Sequence, residues 1–356
     1  MSAREQLLKT ARPRLELNGE ENEPLGEGLL RLLIVETTEG LYRCEATFGN
    51  WGPKDGKTGF LYFDRQELDF GKTLAVKLDD TVLFQGRITG LEAQFGEGAS
   101  PELTVLAEDG LQDLRMTRRT RTFEDLSDAD LIRQVASEHG LQAEVDLSGP
   151  THRVLAQVNQ SDLALVRDRV RSLGGELWVE DQKLLAKRRE SRGSETVELT
   201  YGRQLRELRL CADLAGQRTA VVAGGWDVSA KSALNEEAGT DVLGNEVVGG
   251  DAGSQLLQDT FGARKEALVH GTPAVADEAR ALAEGYFKIM ARRFVTGRGV
   301  AEPTPGLRVG NQIDLTGLGA LFNGRYYLAA VRHCFDGKHG LRTEFQVERP
   351  WLGRPE

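Results

Sequence analysis

Short apolar runs separated by turn signals fill the chain from residue 29 to residue 108, and no helical period interrupts them until past residue 120. Short strands at that spacing close up as a small barrel or a sandwich and leave no place for the crossover helices of an α/β sheet. The run over 29–48 divides into two strand-like pieces around Thr37-Thr38-Glu39-Gly40, a hairpin signal with glycine in the turn. Further strands are expected at 60–63, 74–78, 81–91 and 102–108, with Asp79-Asp80 turning the chain between the second and third of these.

The period then changes. Ser127 can cap a helix over 128–138, with Leu126 and Leu131 as a hydrophobic staple, Ile132, Val135 and Ala136 as the buried stripe, and Gly140 as the stop. Ser161 opens a second helix of the same grammar, with Leu163, Val166, Val170 and Leu173 on one face and Gly174-Gly175 at its end. Short strands at 155–158, 176–180 and 183–187 make this segment a small α+β unit. Strands resume at 196–210 and 220–228. The stretch 238–272, rich in Gly, Asp and Asn, reads as a long loop. Thr272-Pro273 then opens a third helix carrying Ala279, Leu282, Tyr286, Ile289 and Phe294. The C-terminal stretch is β again, at 311–315, 324–335 and 340–348. In the last, Leu341, Thr343, Phe345 and Val347 alternate with Arg342, Glu344, Gln346 and Glu348, the pattern of a half-buried strand.

Charge narrows the function classes. The 356-residue chain carries a net charge of −10 and is only 6% aromatic. Such a chain repels phosphate backbones and has few rings on which bases could stack, so no nucleic-acid specificity is expected. Its two basic clusters, Arg115/Arg118/Arg119/Arg121 and Lys187/Arg188/Arg189/Arg192, read as solvated or interface-facing charge. No apolar stretch is long enough for a membrane helix. The N-terminus, Met1-Ser2-Ala3-Arg4-Glu5-Gln6, has no signal-peptide pattern. Synthesis and assembly in the cytoplasm, without stable membrane insertion, are therefore expected. Three scattered cysteines, Cys44, Cys211 and Cys334, form neither a disulfide framework nor a zinc ribbon.

Catalytic signatures are sparse. Gly56-Lys57-Thr58 lacks the first glycine of a phosphate loop, since Trp51 stands in its place, and Gly26-Glu27-Gly28 lacks the third glycine of a dinucleotide fingerprint. His333, Cys334 and His339 lie close in sequence, but adjacent strand residues point to opposite faces and too few ligands converge for zinc. No Gly-x-Ser-x-Gly elbow occurs, and none of the 55 carboxylates is singled out as half of a glycosidase pair. Neither catalytic residues, a cofactor nor a metal is expected.

Several segments, read in order, resemble one family. They are Thr122-Phe123-Glu124-Asp125-Leu126-Ser127-Asp128-Ala129-Asp130-Leu131-Ile132 leading to Glu138-His139-Gly140-Leu141, and Gln157-Val158-Asn159-Gln160-Ser161-Asp162-Leu163-Ala164-Leu165-Val166 leading to Gly174-Gly175. Leu199-Thr200-Tyr201-Gly202 and Gly225-Trp226-Asp227 follow. Last come Leu307-Arg308-Val309-Gly310, Leu315-Thr316-Gly317-Leu318-Gly319, Phe322-Asn323-Gly324-Arg325-Tyr326-Tyr327-Leu328 and Arg332-His333. In order and spacing these resemble the phage-tail baseplate hub proteins: the phage late-control protein D family and the hub half of VgrG spike proteins.

The resemblance spans about residues 30 to 350. It implies a mainly β chain with an α+β insert: a first β-barrel domain at 1–115, an α+β domain at 116–195, and a second β-barrel domain at 196–356 that holds the loop 238–272 and the helix 273–294. It further implies a homotrimeric ring whose six barrels join a sixfold tail tube to a threefold central spike, as a component of a contractile phage tail or a phage-like contractile injection system. Tail tube protein, central spike protein and baseplate wedge proteins are the implied partners. VgrG chains continue into a spike whereas this sequence stops at Glu356, so a separate spike polypeptide is expected. Under this reading Trp226 is a candidate subunit anchor. Tyr326 and Tyr327, on opposite faces of one strand, are expected to be one buried and one open to a neighbour. His333 is a candidate interface or structural histidine. The rival readings are a tail-associated peptidoglycan hydrolase and a monomeric assembly chaperone or binding module.

Overall fold

The computed structural model describes residues 12–54, 56–193, 195–228, 230–269 and 273–355. The first region opens with β1 (Arg14–Leu17) and β2 (Glu20–Glu21), then a short helix, Glu23–Gly28, whose cap Asn22 accepts from the Leu25 N–H. It continues through β3 (Leu29–Thr37), β4 (Arg43–Gly49), a small hairpin of β5 (Gly52–Lys54) and β6 (Lys57–Gly59), β7 (Thr73–Leu78), β8 (Thr81–Gln94) and β9 (Glu102–Glu108). Leu29, Leu32, Ile34, Cys44, Ala46, Phe48, Val76, Leu83, Ile88 and Val105 supply its core. The strand expected at 60–63 is not formed. Its backbone is claimed by a side chain: Asn50 Oδ1 accepts from the N–H groups of Leu61 and Tyr62 at 3.0 and 2.8 Å.

The α+β segment begins with the short helix Gln112–Arg115 and has a long ribbon the sequence reading did not anticipate, β10 (Arg118–Ser127) antiparallel to β12 (Thr151–Ser161). Between and after these strands come the helices Asp128–Glu138 and Asp162–Ser172. Their caps are the expected ones: Ser127 accepts from the Asp130 N–H, and Ser161 from the Ala164 N–H. Both helices pack through Leu131, Ile132, Val135, Leu163, Val166 and Val170 against a three-stranded sheet of β11 (Gln142–Asp146), β14 (Lys183–Arg188) and β13 (Gly175–Glu180).

The last region contains β15 (Thr196–Thr200), β16 (Leu205–Ala212), β17 (Ala220–Asp227), β18 (Ser232–Gly239), β19 (Gly250–Ala252), β20 (Lys265–Leu268), β21 (Val295–Ala301), β22 (Gln312–Thr316), β23 (Gly324–Asp336), β24 (Gly340–Arg349) and β25 (Trp351–Gly353). In β24, Leu341, Thr343, Phe345 and Val347 are buried as the alternation predicts. The stretch 238–272 is not a loop where it is described. It holds a 3-10 turn over Thr240–Glu246, β19, the helix Gly253–Phe261 and β20. Its few apolar residues are well placed, with Leu243, Ala252 and Leu257 buried. Ladders from β25 to β19 and from β17 to β20 tie the rest down.

The third helix runs Ala276–Ala291, so it starts later than expected, and Thr272 lies outside the described residues. Its buried face is Ala279, Ala283, Phe287 and Ala291, an i, i+4 row packed on β17 and β18, while Tyr286 points outward. Alanines carry little hydropathic weight, which is why the larger Leu282, Tyr286 and Ile289 misdirected the reading of that face.

The two β regions are not separate barrels. They share one 13-stranded sheet in the order β16-β21-β24-β23-β3-β4-β9-β8-β7-β1-β2, with β22 and β15 branching from β23. One edge of β23 is divided: its first residues pair with β22, and Ala330 to Asp336 pair antiparallel with Thr37 to Arg31 of β3. Among the described residues neither half closes. The C-terminal half curls through β16, β21, β24, β23, β22 and β15, and its ends meet only at the single bridge between Tyr201 and Leu205. The expected pair of closed barrels gives way because β3 and β23 spend their edges on each other.

Candidate functional site

The α+β unit rests on the shared sheet through a buried cluster of charge. Glu176 on β13 is 6% exposed. It accepts from Arg192 Nη1 at 2.7 Å, from Arg189 Nε at 3.3 Å and from the hydroxyl of Tyr327 on β23. Arg189 also donates to Glu348 of β24, and Arg192 to the Tyr42 hydroxyl. Both guanidiniums lie over rings, Arg189 at 3.9 Å from the Tyr327 centroid and Arg192 at 4.3 Å from that of Trp178. Burial alone would raise the Glu176 pKa, but Arg192 and Arg189 outweigh it and hold the carboxyl below its ordinary value. These groups therefore stay ionised together. A planar, permanently charged fork suits this position better than an ammonium, because it can bond a carboxylate in its plane and stack on a ring across it.

A second polar node lies where β3 meets β23. Glu36, 1% exposed, pairs with Arg308 and accepts from the Val309 N–H at 3.1 Å, while Arg308 donates to the Val82 carbonyl at 2.8 Å. Beside it His333 is buried, with Nδ1 3.1 Å from Thr343 Oγ1. Burial, reinforced by the positive charge of Arg308, lowers the His333 pKa to about 3, so this imidazole is neutral at physiological pH.

The four residues singled out from sequence are scattered. Trp226 is 57% exposed, outside the main sheet, on the side sheet β18-β17-β20. Its neighbour Gly225 is required by close approach, since a Cβ there would lie 2.4 Å from the Pro273 carbonyl oxygen. Tyr326 is buried, with its hydroxyl donating to the Phe322 carbonyl and Arg349 over its ring, and burial raises its pKa to about 12. Tyr327 is buried as well, which corrects the expectation of one exposed tyrosine: the α+β unit covers the face that was left for a neighbouring subunit. His333 joins the Glu36 node.

Sequence reasoning missed Glu176, Arg189 and Arg192. The Lys187–Arg192 cluster reads as solvated charge, yet the Arg192 side chain is 2% exposed. Within the first cluster Arg119 and Arg121 bond Glu138 and the buried Asp162. No periodicity in either cluster signals such long-range partners. What the arrangement does chemically is to bind one part of the chain to another. Among the described residues no three His, Cys, Asp or Glu side chains converge as a metal site requires, and no helix is long and apolar enough to cross a membrane.

This architecture, a divided sheet with an α+β unit fastened across it, is that of tail proteins of solved structure. The prophage MuSo2 43 kDa tail protein from Shewanella oneidensis superposes with a TM-score of 0.68 at 12% identity, over 95% of this chain and 98% of that one. The tail protein from Neisseria meningitidis MC58 gives 0.66 at 13% identity, with the same coverage. An Escherichia coli component of the type VI secretion system gives 0.58 at 12% identity, over 92% of this chain and 76% of its own. In sequence, residues 67–336 match the family described as the Alg8 N-terminal domain, and the chain belongs to that family. No curated protein matches it. At the level of fold these structures agree with the likeness to phage-tail proteins drawn from sequence.

Proposed function

We propose that this protein is a structural component of a contractile tail or a related injection particle, and specifically its baseplate hub: a homotrimeric adaptor between a sixfold tube and a threefold central spike. The observation that carries this reading is end-to-end likeness to a 43 kDa prophage tail protein, with nearly the whole of both chains superposed. Two β regions in one chain support it further, since three such chains present six β units. The division at 1–115, 116–195 and 196–356 belongs to the same proposal. So do tube, spike and baseplate wedge partners and a place in the assembled particle.

The test is solution mass by light scattering, alone and with a candidate central spike protein. The expected species has three times the 39.1 kDa chain mass. A chain that stays monomeric at high concentration with its spike partner present overturns the hub reading and favours a chaperone or binding module. A clear zone on a cell-wall zymogram favours the hydrolase instead.

A further inference from the structure

The open face of the C-terminal sheet carries an arrangement that the isolated chain does not use. On the edge strand β16, Arg209 stands directly opposite Arg298 of β21. Both side chains are exposed, and neither has a hydrogen bond or ion pair to any described residue. Like charges directly opposed on a β ladder destabilise it. Next in the row come Gln346 and Ala330, which are neutral, so nothing alongside offsets the pair. The nearest carboxylates on this face, Glu207, Glu344 and Glu348, lie one row away; Glu344 is 3.7 and 3.9 Å from Arg332 and Arg342, and Glu348 is taken by Arg189. Edge protection does not explain the pair, because Arg206 and Glu207 already place charge on β16. The two arginines border a shallow depression of about 360 Å³, lined also by Gly299, Val300, Ala330 and Gln346.

We propose that this depression is a docking site for an acidic side chain on the surface of a partner protein, its carboxylate received between the Arg209 and Arg298 guanidiniums. Two adjacent forks match the two oxygens of one carboxylate, and pairing with it relieves the repulsion that the free chain carries. Charge complementarity selects the occupant. With Glu207 and Glu344 in the row on one side of the pair and the neutral Cys211 and Thr296 in the row on the other, the positive ground is one residue wide along each of these two strands, too short for a phosphate backbone, and the net charge of −10 repels such a polymer further. The flanking carboxylates in turn suit a partner whose acidic residue has basic neighbours. The proposal is independent of the tail reading, because it rests on the ladder register alone.

Fluorescence anisotropy with labelled octaglutamate, and with a dT8 oligonucleotide as a second probe, tests it on the full chain at low salt. Arg209→Gln/Arg298→Gln is expected to weaken octaglutamate binding by about tenfold or more, the equivalent of one charge-assisted contact. Arg118→Gln/Arg153→Gln, which removes two exposed arginines from the distant ribbon, is expected to change it less than about twofold. Arg298→Gln alone is expected to raise the melting temperature by removing the like-charge repulsion. Equal weakening in the two double variants, no octaglutamate binding by the wild type, tighter binding of dT8 lost in the Arg209/Arg298 variant, or a lower melting temperature for Arg298→Gln would each overturn the assignment.

Discussion

At the scale of single residues, Glu176 decides how the α+β unit is held. It is the one carboxylate shared by Arg189, Arg192 and Tyr327, which come from two separate stretches of chain. Removing it leaves Arg192 buried without a carboxylate, whereas Arg189 keeps Glu348. An uncompensated buried charge costs about 3–5 kcal/mol. Tyr327→Phe is milder: the ring still stacks under Arg189, both arginines still satisfy Glu176, and the loss is one hydrogen bond to an ionised carboxylate, about 1.5–3 kcal/mol. Chemical denaturation of Glu176→Ala and Tyr327→Phe is therefore expected to rank the glutamate the more costly, by about 2 kcal/mol. Equal losses would mean that the hydroxyl, and not the carboxylate, organises the cluster. None of this was legible in the sequence, because a charged residue in a strand looks the same whether it faces water or a buried arginine on another element.

At the scale of elements, the sequence was most readable where a single local signal suffices. Ser127 and Ser161 mark helix starts because a side-chain oxygen satisfying an N–H three residues on is a short-range contact. The alternation in β24 was readable because one of its faces meets an apolar core. Phe345 is 2% exposed within that core, so Phe345→Ala is expected to cost about 3–5 kcal/mol. Glu344 points to the open face beside Arg332, and Glu344→Ala is expected to cost no more than about 0.5 kcal/mol. Melting curves for the pair decide the matter; an unchanged curve for Phe345→Ala would put the register of β24 in error. Legibility failed where the signal was weak or borrowed. The Ala279/Ala283/Ala291 face is too small to stand out, residues 60–63 yield their strand to the Asn50 side chain, and most of 238–272 is ordered by strands far away in sequence.

At the scale of the whole molecule, the order β, α+β, β was legible, but the way the parts join was not. Strand pairing between β3 and β23 links positions about 300 apart, and no local pattern encodes it. That pairing also bears on the boundary proposed at residue 195. A fragment ending there keeps β3 but loses β23, Arg308 and Tyr327, so it exposes a strand edge and leaves Glu36 buried without its guanidinium. Such a fragment is expected to aggregate, or to exchange its β3 amide hydrogens far faster than the intact chain does. Hydrogen-exchange mass spectrometry of both reads this directly, and equal protection of β3 would make the first region an autonomous unit.

The shared sheet has a mechanical corollary. Two regions tied by a flexible linker yield at the linker when pulled, and tension on one is not felt by the other until the tether is taut. Here the link is a seven-residue antiparallel ladder from Ala330–Thr37 to Asp336–Arg31, whose hydrogen bonds run along the direction in which the regions are laid side by side. A load applied at the β16 edge thus passes through successive ladders to β1 and β2, with the α+β unit bolted over the midpoint as a brace. Within the chain the two halves recoil together, and in the trimer proposed above any give falls at the contacts between chains.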